Sequence, residues 1–169
     1  MLVMQLEIPV PAVLHAAKLA KHCGCKVLLN PAPVQRLPVE LWPLVDILVV
    51  NESEAADLSG FSQVNKSNAG EVATALLGLG TSQVIVTLGA DGLVWTEDDL
   101  VHYMAAHTVI ALDTTAAGDT FVGALCAALI EGEKMQAALA HATQAAAICV
   151  TRFGAQVSIP WRAEVQFLL

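Results

Sequence analysis

Asp113-Thr114-Thr115-Ala116-Ala117-Gly118-Asp119-Thr120-Phe121 is the most informative stretch of the chain. Residues 108–112 before it are apolar and β-branched and read as a strand. Residues 118–130 read as a long helix. The string is therefore a strand-to-helix junction. Its small residues, Ala116, Ala117 and Gly118, let backbone N–H groups approach an anion closely, and the helix beginning there adds the positive end of its dipole. Such a nest can neutralise charge developing on a transferring phosphoryl group. Asp119 falls in the first helical turn, where a carboxylate can take the proton of an attacking hydroxyl. A plainer reading leaves Asp119 only the task of complementing the helix dipole. Helix starts of that plain kind are common. The complete string is specific enough to favour the anion nest.

Upstream of this junction, strand and helix signals alternate. Residues 2–6, 26–30, 46–50 and 83–87 are apolar runs with strand character. Residues 11–22 carry Val13, Leu14 and Ala17 at helical spacing and stop at Gly24. A short helix is expected from Pro38, another over 51–58 closed by Gly60, and a third over 69–79. Beyond Thr87 the pattern changes to three short strands, 93–96, 100–104 and 108–112, with turn signals at Asp91-Gly92 and Glu97-Asp98-Asp99. Downstream come two long helices, 118–130 and 133–150, separated by Gly132, and a last short one near Pro160. This alternation predicts an α/β fold, a mostly parallel central sheet with helices on both faces, forming one domain over 1–169. In such sheets ligands sit at the carboxyl ends of the strands.

Composition narrows the class. Hydrophobic residues make up 56% of the chain and charged residues 14%, against about 25% charged in a typical soluble domain. Strands buried on both faces account for part of the excess, and a surface made to meet something else for the rest. No uninterrupted apolar run reaches the roughly 18 residues of a membrane span. The first residues lack a basic region and include Glu7, which argues against a secretion signal. The net charge is −8 with no Lys/Arg cluster, which argues against nucleic acid as a partner. Cys23, Cys25, Cys126 and Cys149 form no Cys-x-x-Cys and are expected to be reduced, in the cytoplasm. The five histidines form no metal-binding pattern, and no metal is assigned to them.

Four further segments stand out. Asn51-Glu52-Ser53-Glu54 is a capping box at a helix start. Thr87-Leu88-Gly89-Ala90-Asp91-Gly92 reads as a tight turn whose glycines let the backbone lie close to a ligand. Residues 150–160, Val-Thr-Arg-Phe-Gly-Ala-Gln-Val-Ser-Ile-Pro, are a helix end and a loop. Gln5-Leu6-Glu7 and Asn30-Pro31-Ala32-Pro33 each follow a strand, where Glu7 alone reads as a solvated residue.

Taken in order, these elements resemble the ribokinase/PfkB family of carbohydrate kinases over nearly the whole chain. The junction resembles the family's Asp-Thr-x-(Gly/Ala)-Ala-Gly-Asp signature. The resemblance implies a ribokinase-like three-layer fold with Asp119 as catalytic base and Ala116, Ala117 and Gly118 as the anion hole. It implies that Asn51 and Glu54 order Mg²⁺ near the phosphates of ATP. Thr87, Leu88, Gly89, Ala90, Asp91 and Gly92 would line the ATP site, together with Gly118 and Asp119, and Thr143 would lie near the base. Mg²⁺-ATP is expected between the 87–92 loop and the C-terminal helices. Glu7 would face the transfer site, beside the substrate with Asp119. A monovalent cation, K⁺, would be held by the side chains of Asp113 and Ser158 and by backbone oxygens of Thr115, Cys149, Arg152 and Gly154. The implied reaction is ATP-dependent phosphorylation of a sugar hydroxyl, with D-ribose giving D-ribose 5-phosphate. Family members are roughly twice this long, and the resemblance covers their second half. The family's N-terminal strands, β-sheet lid and sugar-gripping residues are expected to be missing. That leaves an open sheet edge for self-association or a companion chain. The alternative expectation is an incompetent nucleotide-binding remnant.

Overall fold

The computed structural model describes residues 1–165. They fall into two compact units, Met1–Met104 and the residues from Ala105 onward.

The first unit is built on one six-stranded sheet in the order β1-β2-β3-β4-β5-β6. Its strands are β1 (Leu2–Met4), β2 (Val27–Leu29), β3 (Ile47–Val50), β4 (Gln83–Thr87), β5 (Leu93–Glu97) and β6 (Leu100–Met104). The first four run parallel, with Met4 beside Leu29, Leu29 beside Leu48 and Val50 beside Val86. β5 and β6 return antiparallel through tight turns. Parallel neighbours need crossovers. The helices α1 (Val10–His22), α2 (Glu52–Ser59) and α3 (Ala69–Leu77) supply two of them. Val13 and Ala17 of α1, Ala55 of α2 and Val72 and Leu76 of α3 share a core with Leu29, Leu48, Val50, Val84 and Val86. The alternate strand residues Leu28, Val49 and Ile85 are buried as well. The strands therefore read as continuous apolar runs rather than as alternating ones.

Local chemistry sets the element boundaries. The chain after α1 turns back so that Cys25 N–H bonds to Ala20 O at 2.8 Å, the closing bond of a Schellman motif. The helix expected from Pro38 is a 3₁₀ helix, Val39–Leu44, with Pro43 inside it. A proline there removes the N–H that an α-turn would use.

In the second unit α4 (Ala117–Ile130) and α5 (Met135–Cys149) pack on each other, and the short α6 (Arg162–Val165) packs on α5. Ala145, Ile148 and Val165 form one buried cluster there, with Ala124 against it. Arg162 pairs with Glu131, and Arg152 with Glu164 at 2.6 Å.

The expected strand at 108–112 is not formed. That segment pairs with no strand, and Ile110 is 83% exposed. Its β-branched residues favour the extended backbone, yet a strand exists only where a neighbour takes its hydrogen bonds. None of the described helices is long and apolar enough to cross a membrane.

Candidate functional site

In the first unit, polar residues stand where the parallel strands end. Gln5, Asn30 and Asn51 each follow the last residue of β1, β2 and β3, and Thr87 is the last residue of β4. The Thr87 hydroxyl donates to Val50 O at 3.3 Å. Asn51 and Glu54 form the full capping box of α2: Asn51 Oδ1 accepts from Glu54 N–H at 2.9 Å, and Glu54 Oε2 accepts from Asn51 N–H at 2.9 Å. Asn51 Nδ2 also donates to Glu54 Oε1 at 3.0 Å, and Asn30 Nδ2 to Glu54 Oε2 at 3.3 Å. Burial pushes the Glu54 carboxyl above its ordinary range, and the hydrogen bonds from Asn51 and Asn30 act in the other direction.

Between β4 and β5, residues 87–92 fold into a 3₁₀ turn over Gly89–Asp91. Leu88 N–H bonds to Gly92 O at 2.8 Å and Asp91 N–H to Leu88 O at 2.9 Å, which closes the loop on itself. The Tyr103 hydroxyl, from β6, donates to Asp91 O at 2.6 Å, and the Lys66 ammonium lies 4.5 Å from the Tyr103 ring centre. Glu7 is exposed, beyond the end of β1.

In the second unit, the junction turns sharply into α4. Ala116 is the N-cap and adopts a left-handed backbone, φ 62° and ψ 8°. The N–H groups of a helix's first turn have no acceptor within the helix. Ala117 N–H is already taken by Thr114 O at 3.2 Å, so the outward donors begin at Gly118. Asp119, the third residue of α4, borders a groove of about 270 Å³ together with Gly123, Ala127, His141 and Ile159. A larger open depression of about 540 Å³, at Val10, Pro11, Leu14 and residues 36–38, holds none of the motif residues.

The loop after α5 folds back on the junction. Leu112 N–H and Asp113 N–H both donate to Val150 O, at 2.7 and 3.2 Å. Asp113 Oδ1 accepts from Thr115 N–H and Oδ2 from Gly154 N–H, each at 2.9 Å. The Thr115 side chain and these two N–H groups hold the Asp113 carboxyl down at about 2. The Cys149 thiol, fully buried, is 3.1 Å from Ser158 Oγ and 3.6 Å from Thr115 O. Arg152 joins the loop through its N–H, which bonds to Cys149 O at 3.1 Å. The structure thus draws Asp113, Thr115, Cys149, Arg152, Gly154 and Ser158 together. Their donors are oxygens: a firmly ionised carboxylate, a hydroxyl and carbonyls. That set is chemically suited to a hard monovalent cation. Thr143 lies mid-way along α5, its hydroxyl on Leu139 O at 2.8 Å.

Sequence reasoning singled out the segment Asn30-Pro31-Ala32-Pro33 but gave Asn30 itself no role. It reaches Glu54, 24 residues on, and no local pattern announces that contact. The available signal was its place, directly after a buried run and before Pro31. The same holds for the Cys149 thiol, whose backbone alone was singled out.

Both units fall within the reach of one family. The chain belongs to the pfkB family of carbohydrate kinases, which it matches over residues 3–162. Among its relatives, the ribokinase of Staphylococcus aureus (strain COL) is 41% identical over 96% of this chain and 54% of its own length. The ribokinase of Haemophilus influenzae is 44% identical over 99% of this chain and 55% of its own length. The solved structure of Arabidopsis thaliana ribokinase complexed with ribose and ATP superposes with a TM-score of 0.91 at 32% identity, over 97% of this chain and 54% of that one. The expected ribokinase-like α/β fold is therefore the one observed. The chain spans about half the length of the curated relatives it matches.

Proposed function

We propose that this chain carries the phosphoryl-transfer machinery of an ATP-dependent sugar kinase, with D-ribose as acceptor and D-ribose 5-phosphate as product. The observation that carries this reading is the start of α4. There a left-handed Ala116 turns the chain into the helix, and Asp119 borders a groove two residues into it.

Asp119 takes the proton of the sugar O5 while that oxygen attacks the γ-phosphorus of ATP, and ADP leaves with the electrons of the broken P–O bond. The N–H groups around Ala116, Ala117 and Gly118 carry the charge spread over the transferring phosphoryl oxygens. Thr87, Leu88, Gly89, Ala90, Asp91 and Gly92 line the nucleotide, with Thr143 toward the base, and Glu7 stands on the acceptor side. Mg²⁺, when bound, supplies charge neutralisation at the phosphates. Asn51 and Glu54 would order it through water, and a single carboxylate suits an ion that keeps most of its hydration shell. Asp113 and Ser158, with backbone oxygens of Thr115, Cys149, Arg152 and Gly154, would hold K⁺ and fix the loop behind the anion hole. The four cysteines are free, in keeping with work in the reducing cytoplasm.

Membership in the family and the ribokinase relatives support this reading. A second reading is a nucleotide-binding chain that acts only with a companion chain. The outward side chains of the edge strand β6 favour it, Leu100 being 61% and Val101 44% exposed. The test is ATP-dependent phosphorylation of D-ribose by the purified chain with Mg²⁺ and K⁺. Turnover that Asp119→Asn abolishes supports the kinase. ATP binding without turnover moves the assignment to the second reading, and absence of ATP binding overturns both.

A further inference from the structure

The amides at the strand ends form a chain. Gln5 Nε2 donates to Asn30 Oδ1 at 3.5 Å. Asn30 Nδ2 donates to Val49 O at 3.1 Å and to Glu54 Oε2 at 3.3 Å. With Oδ1 turned to Gln5 and Nδ2 facing two acceptors, the Asn30 amide has one consistent orientation. Its backbone is restrained too, since the residue before a proline is confined to extended conformations, and Pro31 follows.

An ionised carboxylate offers about four acceptor positions, two on each oxygen. On Glu54, Oε2 takes Asn51 N–H and Asn30 Nδ2, while among the described residues Oε1 takes Asn51 Nδ2 alone. Both positions of Oε2 are therefore filled, and the open one lies on Oε1. Asn51 cannot achieve this alone, because its two donors are divided between the two oxygens.

We infer that Asn30 is a positioning residue: it occupies the second acceptor position of Glu54 Oε2 and so makes Oε1 the oxygen left for a water of the hydrated magnesium–nucleotide complex. This rests on the proposed function, in which Glu54 orders that water. Asn30 acts through Glu54 and needs no contact with the nucleotide. Without its donor, the carboxylate regains a free position on each oxygen and can swing between two water arrangements.

The experiment is calorimetric titration of the 169-residue chain with ATP, once with magnesium and once with EDTA. The wild-type chain binds more tightly with magnesium. Asn30→Ala loses about tenfold of that gain, the scale of losing a support behind a metal-site ligand, while its affinity in EDTA stays at the wild-type value. Asn30→Leu has a similar size and branching but no donor. It shows the same loss, and it decides the matter if the alanine variant does not fold. An unchanged magnesium gain in either folded variant overturns the role of Asn30 and leaves the kinase reading standing. Equal losses with magnesium and with EDTA also overturn it, since they mark a merely structural residue. A wild-type chain that binds ATP with no magnesium gain removes the role of Glu54 and, with it, this inference.

Discussion

Asp113 Oδ2 accepts the backbone N–H of Gly154 at 2.9 Å, joining two loops 41 residues apart in sequence. Because the other carboxylate oxygen takes Thr115 N–H, one side chain fixes both the turn into α4 and the loop after α5. The Thr115 side chain and these two N–H donors favour the charged form and hold the carboxyl at about 2, below the ~3.9 of a free aspartate. The sign follows from linkage. A depressed carboxyl contributes stability that is fully present above its unfolded value and is lost as pH falls through its folded value. Thermal melts of the wild-type chain should therefore lose this contribution between about pH 4 and pH 2. Asp113→Asn should melt lower at neutral pH, because its amide offers one acceptor oxygen where two N–H donors converge. The gap between the two proteins should close in that acid window. A gap that is constant with pH would show that the carboxylate charge is not what the loops recognise.

Ala116 caps α4 at φ 62°. A left-handed backbone costs an L-residue roughly 1–2 kcal/mol, whereas glycine adopts it freely but loses about 0.5–1 kcal/mol more chain entropy on folding. Ala116→Gly should thus stabilise the chain by up to about 1 kcal/mol in urea unfolding. Ala116→Val should destabilise it, since a β-branched residue at positive φ is a genuine outlier. If the valine variant matched the wild type, the left-handed cap would not exist in solution.

What the sequence discloses here is what neighbours along the chain decide. The Asn51 cap, the stop after His22 and the strand Gln83–Thr87 follow from side chains within a few residues of each other, and each is where the pattern puts it. Residues 108–112 show the limit of that logic. Thr108, Val109 and Ile110 favour an extended backbone, but pairing depends on a partner that local pattern does not reveal. Site residues divide along the same line. Asp113, Thr115 and Asp119 fall in one short motif, which local pattern alone singles out. The Asn30–Glu54 and Cys149–Ser158 contacts are made by the fold, and no spacing rule points to them.

Tyr103 holds the 3₁₀ turn of residues 89–91 by a single hydrogen bond to Asp91 O at 2.6 Å. Tyr103→Phe removes that bond and the hydroxyl's interaction with Lys66, whose ammonium can still lie over the ring. The expected cost is about 0.5–1.5 kcal/mol, visible as faster amide exchange at Asp91 and Gly92. Under the proposed function, ATP affinity falls while the magnesium gain is kept. Unchanged exchange at those amides would show that the turn is held by its own backbone bonds alone.

Gly154 combines two constraints whose sizes can be separated. Its φ is 95°, and an added Cβ would stand 2.8 Å from Val157 Cγ2. The steric part is cheap, since Val157 is 80% exposed and its side chain can turn away. The backbone part is not, because a side chain at that φ costs on the order of 1–3 kcal/mol. Gly154→Ala should therefore destabilise the chain by that amount, and adding Val157→Ala should recover only a small fraction. The backbone strain also pulls the Gly154 N–H out of line with Asp113, so the acid-dependent part of stability should shrink in the same variant. Urea unfolding of the two single variants and the double variant, at neutral pH and near pH 3, measures both effects. Full recovery in the double variant would mean that contact with Val157, rather than the left-handed backbone, is what demands glycine.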